Sequence, residues 1–355
     1  MSHVTRRSFV AASALALSAG VSRAGASPDR PKIKIGQIGV GHAHATKLSV
    51  YRRSTDYEVM GIVEPNAELR AWAESQPAFS GLPWLTLEQL LNLPGLQAVL
   101  VETRVRGLLN AAEACVAAGK HVHLDKPAGE SWPQYQRLLE SAARQKLLVQ
   151  MGYMYRYNPG VVLLREALTQ GWLGRPFEID AVMSKVVPPD DRLKLAEYFG
   201  GIMFELGCHV IDLVVGILGK PDRVTAFPRH TSPLNDGLAD NMLAVFEYPE
   251  ATATVRSTAL EVDGFARRHL TVCGSEGTFH IQPLDNPAVR ATFSSPHGTY
   301  RAGYQDIPLP KYERYLADAA DMAAILRGEK EADFSYEHDL AVQETVLRAS
   351  GMSLQ

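Results

Sequence analysis

The fold is decided between residues 33 and 44, Ile33-Lys34-Ile35-Gly36-Gln37-Ile38-Gly39-Val40-Gly41-His42-Ala43-His44. The first six residues read as a short apolar strand, and a helical stretch follows the glycines to about Ser54. Gly39 and Gly41 permit a tight turn and close backbone approach to a pyrophosphate, which would rest on the N-terminus of that helix. His44 stands where a GxGxxG motif has its third glycine, so the turn alone is a weak signature. The next strand, Tyr57 to Val63, ends at Glu64, about 20 residues past the turn. A carboxylate there can accept hydrogen bonds from both ribose hydroxyls and repels a 2′-phosphate, which favours NAD over NADP. Arg70 and His42 keep NADP open, and a plain surface Glu before the Pro65-Asn66 turn is the competing reading.

Strand and helix then keep alternating. Gln97 to Val101, His121 to Leu124 and Leu147 to Met151 read as strands, Leu108 to Ala118 and Trp132 to Gln145 as helices. Repeated β-α units of this length imply an α/β, doubly wound parallel sheet with ligands at the carboxyl ends of its strands. Three loops therefore converge on the cofactor: the glycine turn, Glu102-Thr103-Arg104 and Asp125-Lys126-Pro127.

Ala118-Gly119-Lys120-His121-Val122, followed by Asp125-Lys126-Pro127, resembles the "AGKHV…EKP" signature of the Gfo/Idh/MocA oxidoreductases, among them glucose–fructose oxidoreductase and inositol dehydrogenase. The resemblance runs from Ile33 nearly to the C-terminus. It implies a Rossmann domain followed by an α+β domain with a large, mostly antiparallel open sheet. It also implies that Lys126 lies between nicotinamide and substrate, where its ammonium polarises the reacting hydroxyl or relays its proton. Asp125 replaces the usual Glu, and Glu102-Thr103-Arg104 stands where the family often has Ala-Thr-Pro. Arg104 is thereby left near the nicotinamide side, reading an anionic substrate or simply solvated.

Gly152-Tyr153-Met154-Tyr155-Arg156-Tyr157-Asn158-Pro159 leaves the last strand of the first domain and opens a helix to about Thr169. By the same resemblance this crossover faces the substrate, which makes Tyr155 and Arg156 candidate contacts; packing tyrosines are the alternative. Glu205, His209 and Asp212 are spaced i, i+4, i+7, so a helix puts all three on one face. An acid–His–acid stripe among Leu206, Val210, Ile211 and Leu213 is costly unless those groups bond one another or a ligand. The family pattern has Asp-x-x-x-His here, with His as general base and also a substrate contact. That implies His209 as the base and Glu205 in place of the Asp, one methylene longer. A hydrogen-bonded core His is the bland reading, and no third His or Cys has the spacing of a metal site. Beyond Gly219-Lys220-Pro221, alternating runs at 222–226, 241–248, 252–260, 269–273 and 278–281 read as an antiparallel sheet covered on one side. Segments 312–326 and 337–350 read as closing helices. The resemblance adds a homo-oligomer formed through the open sheet.

The start of the chain carries a different message. Thr5-Arg6-Arg7-Ser8-Phe9-Val10 resembles a twin-arginine export signal, followed by an apolar stretch to Val21 and the small residues Ala24-Gly25-Ala26. The stretch is too short to be a stable membrane anchor. The organisation expected is thus a signal peptide at 1–26, a dinucleotide-binding domain at 30–152, a substrate and oligomerisation domain at 153–330, and a last helix at 331–355 packing back on the first domain. Net charge is −3 over 355 residues, falling to −6 without the three arginines of the leader, so no basic surface suggests nucleic acid. Cys115, Cys208 and Cys273 are scattered, which speaks against a disulfide framework. A twin-arginine exporter carries folded proteins to the periplasm or beyond, where no nicotinamide pool recycles the cofactor, so NAD is expected to be tightly bound. The reaction expected is oxidation of a secondary hydroxyl on a sugar or sugar derivative, closed by a second sugar that takes the hydride. The alternative is glycoside hydrolysis or elimination through a transient 3-keto sugar, which needs a second acid/base from Glu205, Asp212 or Tyr155. A non-catalytic ligand-binding protein of the same fold is the third possibility.

Overall fold

The computed structural model describes residues 30–355; the expected signal peptide lies outside them. Strands β1 (Ile33–Ile38), β2 (Tyr57–Val63), β3 (Ala98–Val101), β4 (His121–Leu124) and β5 (Val149–Met151) form one parallel sheet in the order β2-β1-β3-β4-β5. Every residue of β3 is buried and all but one of β1, because helices cover both faces. That is why these strands read as continuous apolar runs. The chain leaves β1 to one side for β2 and returns to its other side for β3, so the crevice at the carboxyl end of β1 is a topological switch point. The glycine turn does not open a regular helix at once: a 3₁₀ turn at Ala45–Lys47 precedes the short helix Leu48–Arg53.

The second sheet comprises β6 (Pro176–Val182), β7 (Arg223–Arg229), β8 (Asn241–Glu247), β9 (Thr252–Thr258), β10 (His269–Gly274), β11 (Gly277–Ile281), β12 (Val289–Phe293) and β13 (Gly303–Ile307). Its order is β13-β12-β11-β10-β6-β9-β8-β7, antiparallel except where β6 runs beside β9. Burial alternates strictly along β8, with Met242, Ala244 and Phe246 inward, as expected for a sheet covered on one face. Strands β6, β12 and β13 were not anticipated. The period-2 pattern of β12 (Val289, Ala291 and Phe293 buried) was there to be read; β6 and β13 are masked by charged and polar residues. Among the described residues no helix is long and apolar enough to cross a membrane.

Two closing helices tie the domains together. Helix Leu316–Leu326, grouped above with the second domain, places Ala319, Met322 and Ala323 in one apolar cluster with Ile33, Leu48 and Tyr51 of the first. Tyr57 Oη donates to Ala319 O at 2.6 Å within that contact. Helix Tyr336–Ala349 reaches the first domain through Gln343, which donates to Gly129 O (2.7 Å), and Tyr336, which donates to Leu147 O (2.6 Å). The same helix supplies Asp339 to Arg156, which is also bound by Asp212 of helix Cys208–Leu218.

Candidate functional site

Gly39 holds φ +87°, and a Cβ built on it would lie 2.5 Å from the Thr103 amide nitrogen. The turn after β1 is thus packed against the end of β3 so closely that only glycine fits. A cavity of about 740 Å³ opens at the carboxyl ends of β1, β2 and β3, with Gly39, Glu64, Thr103 and Arg104 on its polar rim and Leu69, Trp84 and Leu87 on its apolar side. Glu64 is fixed there, accepting from Val40 N (3.0 Å) and Asn66 N (2.9 Å). Arg70 lines the same cavity, but its guanidinium is held 5.1 Å above the Trp84 ring and bonds Glu74 at 3.0 Å. An apolar slot, a carboxylate at ribose position and an obligatory glycine turn fit a dinucleotide.

Asp125, read from sequence as a cofactor contact, turns inward instead, and the His42 ring bonds it although the residue also lines a cavity beside the glycine turn. Asp125 is fully buried and takes Lys47 Nζ at 2.8 Å, His42 Nδ1 at 3.1 Å and His44 Nδ1 at 3.2 Å. Lys47 Nζ also lies 3.0 Å from Glu102 and 3.0 Å from His123 Nε2, whose Nδ1 bonds Gln150 at 2.9 Å. Burial works to raise the Asp125 carboxyl, but His42, Lys47 and His44 outweigh it and hold it well below the usual range. Glu102 goes the other way: burial and the neighbouring Asp125 raise it well above that range despite Lys47. Lys47 thus stands between two carboxyl groups driven in opposite directions, Asp125 toward its charged form and Glu102 toward its neutral one. Burial also pushes His44 down to about 3, so its ring is neutral and donates to Asp125. The His42, His44 and Asp125 ligand atoms lie within 4.8 Å of one another, which is metal-like spacing. The Lys47 ammonium already occupies the cation's role there, and His42 Nε2 donates to Lys126 O at 3.0 Å.

Lys126 follows directly and points the other way, across to the second domain. Its ammonium donates to Glu205 O (2.7 Å) and Glu205 Oε1 (3.1 Å), and the side chain is 2 % exposed. Burial opposes the charge, but Glu205, Cys208 and Asp125 keep its pKa above the ordinary lysine value. Glu205 sits in a π-helical turn, Met203–Gly207, that leads into helix Cys208–Leu218. That inserted turn breaks the simple i, i+4, i+7 stripe expected over Glu205, His209 and Asp212. The three end in different surroundings. Glu205 lines a second cavity of about 530 Å³, adjoining the first at Arg104. His209 meets Tyr155 (5.3 Å) and Tyr153 (6.2 Å) edge to face and His44 (5.8 Å) at a tilt. Asp212 is bound by Arg156 Nε and Nη2 at 3.0 and 2.6 Å.

Arg156 was expected to contact substrate and Asp212 to be a possible acid/base; both expectations are corrected by this pairing. The guanidinium is 3 % exposed and divided between Asp212 and Asp339, so it ties the crossover segment to two helices. Tyr155 is likewise engaged, donating to Asp285 Oδ1 (2.8 Å), which also binds Arg268 and Arg314. What stays open is specific: Glu205 Oε2, His209 Nδ1 and Tyr153 Oη are buried without a hydrogen-bond partner among the described residues. An orphaned buried polar atom calls for a partner, and the one on Glu205 belongs to a residue that lines the second cavity. Burial, then Lys126, lowers the His209 pKa well below its ordinary value, so the ring is a neutral acceptor. Sequence reasoning missed Lys47, His123 and Lys185. A lysine in the apolar run Ala45–Tyr51 and a histidine inside strand β4 were the available signals for the first two.

Comparisons with known proteins agree with this geometry. Residues 33–153 match the model described as "Oxidoreductase family, NAD-binding Rossmann fold", and residues 161–280 match "GFO/IDH/MocA C-terminal domain". Inositol 2-dehydrogenase of Salmonella typhimurium is 24% identical over 262 residues, 73% of this chain and 75% of that protein. The scyllo-inositol 2-dehydrogenase (NADP(+)) of Bacillus subtilis is 26% identical over 203 residues, 55% and 54% of the two chains. Among solved structures, an Agrobacterium radiobacter oxidoreductase in complex with NAD+, L-tartaric acid and magnesium superposes with TM-score 0.77 at 16% identity, covering 90% of this chain and 97% of that one. UDP-N-acetylglucosamine 3-dehydrogenase of Acidithiobacillus ferrooxidans gives TM-score 0.75 at 18% identity, covering 92% and 99%. With both family models matched in chain order, one on each sheet-bearing domain, the protein belongs to the Gfo/Idh/MocA family of NAD-binding oxidoreductases.

Proposed function

We propose that this protein oxidises a secondary hydroxyl of a sugar or polyol, using NAD that stays on the enzyme. The carrying observation is the Lys126–Glu205 pair, with Glu205 lining the second cavity and with Glu205 Oε2 and His209 Nδ1 unpartnered. When bound, NAD supplies the hydride acceptor. Lys126 donates a hydrogen bond to the reacting oxygen and steadies its developing negative charge. His209 Nδ1, neutral and unbonded, takes the hydroxyl proton. Glu205 holds the Lys126 ammonium in place and offers Oε2 to a second substrate hydroxyl. Glu64, anchored at the ribose end with Arg70 drawn off to Trp84 and Glu74, supports NAD over NADP. Inositol and amino-sugar dehydrogenases among the relatives support the substrate class.

Residence of the cofactor rests on the twin-arginine leader: a protein exported folded to the periplasm or beyond carries its nicotinamide with it. Self-association through the open face of the second sheet belongs to the same reading. The glycosidic alternative keeps one supporting observation. With Asp212 and Tyr155 engaged, Glu205 Oε2 is the carboxylate free to act as the second acid/base.

The test uses purified holoprotein with no added nucleotide. Mixing with polyols and free sugars is expected to give a single burst of reduced-nicotinamide absorbance, with further turnover when a carbonyl acceptor is supplied. Continuous release of phenol from aryl glycosides, with solvent deuterium entering the sugar beside the oxidised carbon, assigns the glycosidic route instead. A bound nicotinamide that no hydroxyl compound reduces overturns both.

A further inference from the structure

Lys185 follows strand β6, and its amide donates to Thr258 O at 3.1 Å, which fixes the backbone against the end of β9. Val187, two residues on and on the same face of this extended segment, is buried, and Lys185 itself is half-buried. There it lines the cavity of about 530 Å³, together with the glycine turn (Gly41, His42) and Glu205.

The charges around that cavity are unbalanced. Lys194 is answered by Asp191 at 2.7 Å, and Glu205 by Lys126 at 3.1 Å. Arg268, behind the wall, is answered by Asp285 at 2.9 Å. Among the described residues, Arg104 and Lys185 line the cavity with no carboxylate bonded to either. Arg104 packs over Gly41, where a Cβ would meet its Cγ at 3.0 Å, and so belongs to the pyrophosphate end. Lys185 stands at the substrate end. Burial lowers its pKa first, Lys126 and Arg268 add to that, and the attraction of Glu205 and Asp191 does not restore it. A largely desolvated ammonium with no carboxylate in hydrogen-bond contact is costly, and an anion arriving in the cleft would offset that cost.

We infer that Lys185 binds an anionic group on the substrate, so the sugar or polyol oxidised here carries a carboxylate or a phosphate ester. This rests on the dehydrogenase reading above and narrows it to acidic substrates. An ammonium suits either group as a compact point charge, and a charged hydrogen bond in a half-closed cleft gives about tenfold discrimination or more over a neutral analogue.

Competitive labelling tests it on the holoprotein. Lysines are acetylated with limiting acetic anhydride, and Lys185 is followed by peptide mass spectrometry in the presence of glucose, glucuronate, glucose 6-phosphate or inorganic phosphate at equal concentration. Protection by glucuronate or glucose 6-phosphate, but not by glucose, is the expected result; the better protector identifies carboxylate or phosphate. Lys185→Gln is expected to lose about tenfold in affinity for the protecting sugar while retaining its nucleotide, and Lys185→Arg to recover most of it. Equal protection by glucose, no protection by either acidic sugar, or protection by inorganic phosphate alone overturns the inference. Reduction of the bound nicotinamide is scored separately. Selective protection without reduction keeps the anion site and rejects the dehydrogenase; reduction without selective protection does the reverse.

Discussion

Replacing Lys126 with methionine is expected to lower kcat by about 10²–10⁴ while the fold and the nucleotide content are retained. Methionine nearly matches the lysine stem in length, so the buried channel between Asp125 and Glu205 stays filled. What disappears is the donor now 3.1 Å from Glu205 Oε1, the group proposed to face the reacting oxygen. Glu205 is left partly exposed at the cavity it lines, its side chain 16% accessible. The pH profile should move as well. Lys126 is the second cause, after burial, of the depressed His209 pKa, so its removal lets that pKa rise toward the ordinary value. The base must be neutral to act, and its protonation then cuts the rate at a higher pH than in the parent enzyme. Single-turnover reduction of bound nicotinamide across pH, with circular dichroism as the fold control, measures both effects. A kcat within a few-fold of the parent enzyme would remove Lys126 from the chemistry.

The second large effect falls on stability. Lys47→Met leaves Asp125 buried without its ammonium, and breaking a buried pair from one side costs about 3–5 kcal/mol. The cost depends on pH in a definite sense. Asp125 has a lowered folded-state pKa, so its stabilisation is present above the ordinary carboxyl range and is lost as pH falls through the lowered value. The gap between parent and variant in urea unfolding is therefore largest near neutral pH and narrows in acid. An exposed pair gives the contrast: Arg53 and Glu313 are 64% and 55% exposed, and breaking them should cost under about 1 kcal/mol. Equal losses at the two sites would show that Lys47 is not the counter-ion of a dry network.

Much of this was legible in the chain. Buried parallel strands announce themselves as apolar runs, and the glycine turn with Glu64 defines one end of the cofactor cavity. Ala118–Pro127 locates Lys126, and the 200–212 segment supplies Glu205, the carboxylate that Lys126 approaches. The parts that were hidden depend on pairings no local pattern records. His44 looked like a lost glycine, yet the space a glycine would leave is taken by a ring bonded to Asp125. Arg156 and Asp212 each looked functional because each is a charged residue in an apolar setting. Their separation of 56 residues concealed that they neutralise each other. The π-helical turn at Met203–Gly207 rotated Glu205 out of the stripe that ideal helical spacing predicts. Lys185 gave no signal at all, since a lysine after a strand is ordinarily solvated.

A cofactor resident on an exported oxidoreductase is tested most directly by mass spectrometry of the nucleotide released when natively exported protein is dialysed and then denatured. The expected result is NAD in stoichiometric amount, surviving dialysis. Protein that releases no nucleotide, releases NADP, or loses its nucleotide during dialysis contradicts it.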